Sequence, residues 1–377
     1  MTLARSGAVE RWFSNSLELG GAVTSRMRYL TMGDDADNQE QDSPQVDLIL
    51  FMFLGLCVGI VLEQVISRTT SSVVSNIPPT VCLFLVGLAM AGYSKAQLSD
   101  GFNESLNGWV RIDAQLMLFL FLPPLVFGEA MYLNWHHAKK VFPQAMTLAG
   151  PGVLLGSSFM AMFAKIILPY DWDWLVCLLF GSVLGATDTV AVLSIMNNAG
   201  ASPKLTILIV GESLLNDGTS VVLFEACLTL LQAPDSMSIG EWIFFVIKMT
   251  IGSTLLGGLI GLFTVRWLRS VNRPLKEIDT TSQIAITLTV AYLTFFLAQH
   301  VFEISGLLAL VAAAVMLSWL APPIILNRET MHNIWSFVEW VGNTTIFLLA
   351  GLIIGHRVLG DVQGIDWMYM ILLYVFK

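Results

Sequence analysis

The sequence predicts an all-α, multi-span membrane protein, and three observations carry that prediction. Hydrophobic residues make up 55% of the 377 residues and charged residues 12%, about half the ~25% charged content of soluble domains. The apolar residues come in blocks of about 20, the length a helix needs to cross ~30 Å of hydrocarbon. Segments such as Leu48–Ile60 and Thr250–Leu262 have no polar face, whereas a helix on the surface of a soluble core keeps one.

The elements follow in order. Residues 1–45 read as a polar N-terminal tail, where Asp34, Asp35, Asp37, Glu40 and Asp42 supply much of the net charge of −9. The tail lacks the continuous apolar run of a signal peptide. Ten spans are expected near residues 47–66, 77–93, 113–133, 142–168, 174–198, 205–231, 241–267, 281–300, 304–320 and 334–356. An eleventh starts near Trp367 and reaches Lys377. A helix that stops at mid-bilayer leaves its last carbonyls unpaired. Residues 46–377 are therefore read as a transmembrane domain whose C-terminal part lies beyond Lys377, with room there for a cytoplasmic regulatory region.

Basic residues set the orientation. The loops after odd-numbered spans hold nine of them (Arg68, Lys139, Lys140, Lys204, Arg266, Arg269, Arg273, Lys276, Arg328), and the loops after even-numbered spans hold Lys95, Arg111 and Arg357. The positive-inside rule puts the odd loops in the cytoplasm and the N-terminus outside. The sequon Asn103-Glu104-Ser105 falls on the outer side by the same count. Most Lys and Arg lie in short loops between spans, so nothing points to a nucleic-acid surface, and membrane lipid is the expected partner. Cys57, Cys82, Cys177 and Cys227 all fall inside spans and read as small packing residues.

Two neighbouring spans carry acids at mid-depth. Asp188 lies in WLVCLLFGSVLGATDTVAVLSIMNN and Asp217 in LIVGESLLNDGTSVVL, beside Glu212, Ser213 and Asn216. A carboxylate there costs on the order of 3 kcal/mol or more, which makes it a functional-site hypothesis by default. Gly181, Gly185 and Thr187-Asp188-Thr189 suit a helix break, whose free carbonyls and dipole ends can hold a cation. Glu129, Glu225 and Glu339, also inside spans, read as packing acids.

The stretch Gly185–Phe224, with ATDTVAV followed by GESLLNDGTSVVLF, resembles the central motif pair of monovalent cation/proton antiporters. Within these it is most similar to the sodium/proton exchangers of the electroneutral Asn-Asp branch, and above all to the plant-type plasma-membrane salt-tolerance branch. Ile77–Met90, Phe121–Tyr132, Pro169–Trp174 and Ala285–Tyr292 support the resemblance. It implies an antiporter fold with inverted repeats and a broken helix at mid-membrane, incomplete in these 377 residues. It also implies a homodimer in the plasma membrane, with no cofactor and no enzymatic activity, serving sodium transport, pH regulation and salt tolerance.

Residue by residue, the resemblance makes Asp217 the carboxylate that alternately binds H⁺ and Na⁺, with Asn216 as its partner. Thr187, Asp188 and Ser213 would complete the Na⁺ site, and Glu212 would be an accessory acid. The expected function is electroneutral exchange of Na⁺, with Li⁺ or K⁺ as further substrates, for H⁺ by competition at Asp217 under alternating access. Thr189 departs from the family's usual Pro, and the helices beyond Lys377 are needed for transport. The truncation and Thr189 also raise a non-transporting regulatory or scaffold form. The two neighbouring acids raise an intramembrane aspartyl protease, against which the lack of a GxGD motif argues.

Overall fold

The computed structural model describes residues 44–68, 78–95, 106, 108–110, 113–186, 192–193, 196, 200–232, 239–271, 277–361 and 373. The tail before Pro44, the sequon, Thr187, Asp188, Thr189 and most of the eleventh span lie outside them. The described elements are helical: α1 (Pro44–Arg68), α2 (Pro79–Lys95), α3 (Ala114–Tyr132), α4 (Trp135–Ile167), α5 (Trp174–Gly185), α6 (Pro203–Gln232), α7 (Ile239–Ile247 continued into Ser253–Val271), α8 (Glu277–Phe296 with a last turn Leu297–Val301), α9 (Gly306–Leu320) and α10 (Arg328–Asp361). Each corresponds to one expected span. α1, α2 and α6 all begin with Pro, which has the helical φ built in and whose missing N–H is one the first turn leaves unpaired anyway.

Six of these helices are long and apolar enough to cross a membrane; α1, α2, α5 and α9 contain shorter apolar stretches. Two helices extend well beyond the limits read from sequence. α4 begins at Trp135 rather than near 142, and α10 runs from Arg328 to Asp361 rather than from 334 to 356. Both extensions are polar, and apolar blocks do not detect them. The first turns of α4, WHHAKKVFPQAMT, bury only Ala138, Val141 and Ala145. Lys139 and Lys140, expected in a loop, are therefore helical.

Wide π turns interrupt α4 at Leu148–Gly152 and α7 at Lys248–Gly252. The first contains Pro151, which has no N–H and crowds the carbonyl four residues back. Around the second, Thr250, Ser253 and Thr254 each return a hydroxyl hydrogen bond to the carbonyl four residues earlier, an arrangement that loosens and bends helices.

The core is built around α9, whose Leu307, Leu310, Val311, Ala313, Ala314 and Leu317 are buried among α3, α7, α8 and α10. Trp335 on α10 packs on Phe127 at 5.3 Å and donates from Nε1 to Thr287 Oγ1 at 3.2 Å. Thr287→Val keeps the shape and removes the acceptor. It is expected to cost about 1–2 kcal/mol by stranding a buried indole N–H, read as a lowered melting temperature of the purified protein.

Glycine allows close helix contact between α2 and α10. A Cβ on Gly87 would overlap the Leu348 carbonyl oxygen, and one on Gly351 would overlap that of Phe84. α2 and α10 thus meet backbone to backbone, as small residues permit in membranes. On the outer face of α7, Ile251, Leu255, Leu259 and Phe263 stand exposed in one i, i+4 stripe, a surface that suits lipid rather than water.

Candidate functional site

α5 starts where the sequence directs it. Asp171 turns the chain with φ 50°, and Asp173 caps the helix by accepting from Trp174 N at 2.9 Å. The helix then lies hard against α4, since a Cβ on Gly181 would overlap the Ser157 carbonyl oxygen. It stops after 12 residues, about 18 Å of rise, and Ala186 is extended with ψ 132°. Residues 192–193 and 196 are helical again. The helix expected to break in the fifth span thus ends at Gly185, and the chain is extended at Ala186.

A helix end inside the bundle leaves its last carbonyls needing donors. Asn216 on α6 supplies one: its Nδ2 donates to Gly185 O at 3.3 Å. The same amide nitrogen donates to Glu212 Oε1 at 3.4 Å, and Ser220 Oγ donates to Asn216 Oδ1 at 3.1 Å. Glu212, Asn216 and Ser220 recur every four residues and form one polar stripe. Ser213 and Asp217 form a second beside it, since 3.6 residues complete a turn. Asp217 lies 14 residues from Pro203 and 15 from Gln232, at mid-helix. Asn216 and Ser213 are buried; Asp217 and Glu212 are half-buried.

The structure therefore brings Ser213, Asn216, Asp217 and Glu212 to one region of α6, with Asn216 joining it to the end of α5. Two participants were missed from sequence. Ser220 was legible as the next member of the four-residue stripe. Ser157 was not, because nothing marks one Ser in VLLGSSFMAMF. It is fully buried, its hydroxyl has no hydrogen-bond partner among the described residues, and a Cβ on Gly185 would come within 2.8 Å of that oxygen. The region is oxygen-rich: a carboxylate, hydroxyls and the negative end of a helix dipole, the donor set of a hard cation. Among the described residues no three His, Cys, Asp or Glu converge as a metal cluster would require.

Residues 46–377 match the transmembrane sodium/hydrogen exchanger family. The chain belongs to that family. It is 31% identical over 369 residues to sodium/hydrogen exchanger 7 of Arabidopsis thaliana, covering 94% of this chain and 31% of the relative. Exchanger 8 of the same plant is 30% identical over 366 residues, covering 95% and 47%. The chain thus spans from just under a third to just under a half of the length of these two relatives. In structure it is similar to the sodium proton antiporter of Methanocaldococcus jannaschii, with a TM-score of 0.70 at 16% identity over 88% of this chain and 75% of that one, and it shares the antiporter fold. This exchanger-family chain is an integral membrane protein, and the relatives named are transporters rather than enzymes.

Glu225 and Glu339 each have a polar partner within the bundle. Glu225 accepts a hydrogen bond from Gln299, whose Oε1 accepts from Gly306 N at 3.3 Å, tying α6 to the turn between α8 and α9. Glu339 interacts with His332 on its own helix. His300 is stacked on Phe119 at 4.9 Å.

Proposed function

We propose that the protein exchanges Na⁺ for H⁺ across a membrane, with Asp217 as the shared site, and that Li⁺ or K⁺ are the other cations it can take. The observation that carries this reading is the mid-membrane carboxylate set next to a broken helix whose last carbonyl is held by Asn216. A single carboxylate cannot hold both H⁺ and Na⁺, so loading one expels the other. Ser213 Oγ, Ser157 Oγ and the carbonyl end of α5 are the oxygens available to a dehydrated cation, and Thr187 and Asp188 follow in the chain. Glu212, bonded to Asn216, serves as the accessory acid. No resident metal or cofactor enters this scheme; Na⁺ is cargo.

If only the loaded carrier changes its exposure, one cation moves for each proton and no net charge crosses. The neutral Asn216 beside Asp217 supports that stoichiometry, because it adds no second charge to be balanced. The cycle runs by alternating access in a plasma-membrane homodimer with its N-terminus outside, and its physiological setting is salt tolerance and pH regulation.

The full-length protein reconstituted in liposomes tests the reading. A Na⁺ gradient is expected to change the internal pH at a rate that an imposed membrane potential, set without a gradient of Na⁺, Li⁺ or K⁺, leaves unaltered. A rate that follows the potential would overturn electroneutrality while keeping exchange. No Na⁺-driven pH change at all would overturn the antiporter and favour the scaffold form.

A further inference from the structure

A large cavity lies apart from Asp217, with no residue of α6 in its lining. It measures about 870 Å³ and opens where the C-terminal ends of α3 and α9 meet the N-terminal ends of α4 and α10. Its walls carry Lys139, Arg328, His136 and His332, and no Asp or Glu is among its lining residues. Tyr132, Trp135 and Trp319 complete it, with the two indoles 6.0 Å apart. Arg328 is held in place by donating from Nε and Nη2 to Pro322 O at 2.9 and 2.6 Å. Ser318 Oγ donates to Leu133 O and closes the floor between α9 and the α3–α4 turn. Lys139 is exposed, at the start of α4.

Two fixed positive charges, two imidazoles and a wall of amphipathic aromatics at the ends of four spans make a specific combination. The charges suit phosphate oxygens. The aromatics suit the depth of lipid headgroups. Basic pockets between spans on the positively charged side of a membrane protein bind acidic headgroups, and this cavity lies on the side that carries most of the basic loop residues.

We propose that this cavity is a binding site for the phosphorylated headgroup of an acidic phospholipid, with Lys139 and Arg328 as its main charge partners and Trp135 and Trp319 flanking the glycerol backbone. The site is separate from the Asp217 region and does not depend on the exchange reading.

The test titrates the full-length protein in nonionic detergent with dioctanoyl phosphatidylinositol 4-phosphate and reads bound lipid by native mass spectrometry. One saturable site is expected. Lys139→Gln should weaken it about fivefold, the effect of one basic residue at a membrane surface, and Arg328→Gln by at least as much. Lys204→Gln, at the start of α6 and outside the cavity, should leave it unchanged. Arg328 also braces the Pro322 turn, so Lys139→Gln on its exposed helix is the deciding variant. Unaltered affinity in Lys139→Gln would overturn the proposal. Equal binding of dioctanoyl phosphatidylcholine would overturn it in favour of an acyl-chain groove. Equal binding of free inositol 1,4-bisphosphate would overturn it in favour of a site for soluble anions.

Discussion

Asp217→Asn in the full-length reconstituted protein is expected to reduce Na⁺-driven pH change to the level of empty liposomes. The substitution keeps the size and the hydrogen-bonding oxygen of the side chain and removes two capacities, taking up a proton and balancing a cation. Neither can be supplied by Asn216, whose amide is engaged with Gly185 and Glu212. Folding should survive, because an ionised carboxylate at this depth costs on the order of 3 kcal/mol or more and a neutral amide costs less.

A second readout separates a dead site from a damaged protein. A ligand that binds only the folded state at about a hundred times its Kd stabilises by ~2.7 kcal/mol, so saturating Na⁺ should raise the melting temperature of the parent protein. Asp217→Asn should melt at or above the sodium-free parent and show no rise with Na⁺. Retained Na⁺ stabilisation in the variant would move the cation site away from Asp217, and robust exchange would remove Asp217 from the mechanism altogether.

The ten helices α1–α10 of the described residues were legible because hydrocarbon imposes length and apolarity on each of them, and those quantities are written locally in the chain. Their polar ends were not. The first turns of α4 and α10 are held by neighbours and by an interface, and their residues read as loop when only apolarity is followed. The site divided in the same way. The stripe Glu212, Asn216, Ser220 and the pair Ser213, Asp217 come from the period of one helix, and α5 ends beside the Gly185 that the sequence marked. The bond from Asn216 to the Gly185 carbonyl spans 31 residues of sequence, and the contact of Ser157 with the same glycine comes from a different helix pair. No periodicity encodes either. The basic cavity was half legible: the loop count put Lys139 and Arg328 on the same side of the membrane, but they meet His136 and His332 only when α9 returns the chain to the same end of the bundle.

That long-range bond leads to the other large expected effect. Asn216→Asp is a substitution of one atom pair, and in sequence it merely exchanges an Asn-Asp pair for two acids. In the structure the amide nitrogen faces two acceptors, Gly185 O and Glu212 Oε1, at 3.3 and 3.4 Å. A carboxylate oxygen in that place has no proton to give either of them. It also puts a third carboxylate between Glu212 and Asp217, in a buried position where an uncompensated charge costs several kcal/mol. Asn216→Ala loses the same donor without adding charge, so it strands the helix end for about 1–3 kcal/mol. The expected order of melting temperature is therefore parent, then Ala, then Asp, with Asp about 3–5 kcal/mol below the parent at neutral pH. Lowering the pH should narrow the gap between Asp and Ala, because protonating the new acid removes its charge and restores one O–H donor. Equal stability of the Asp variant and the parent would mean that Asn216 does not hold the end of α5, and the break would need another anchor.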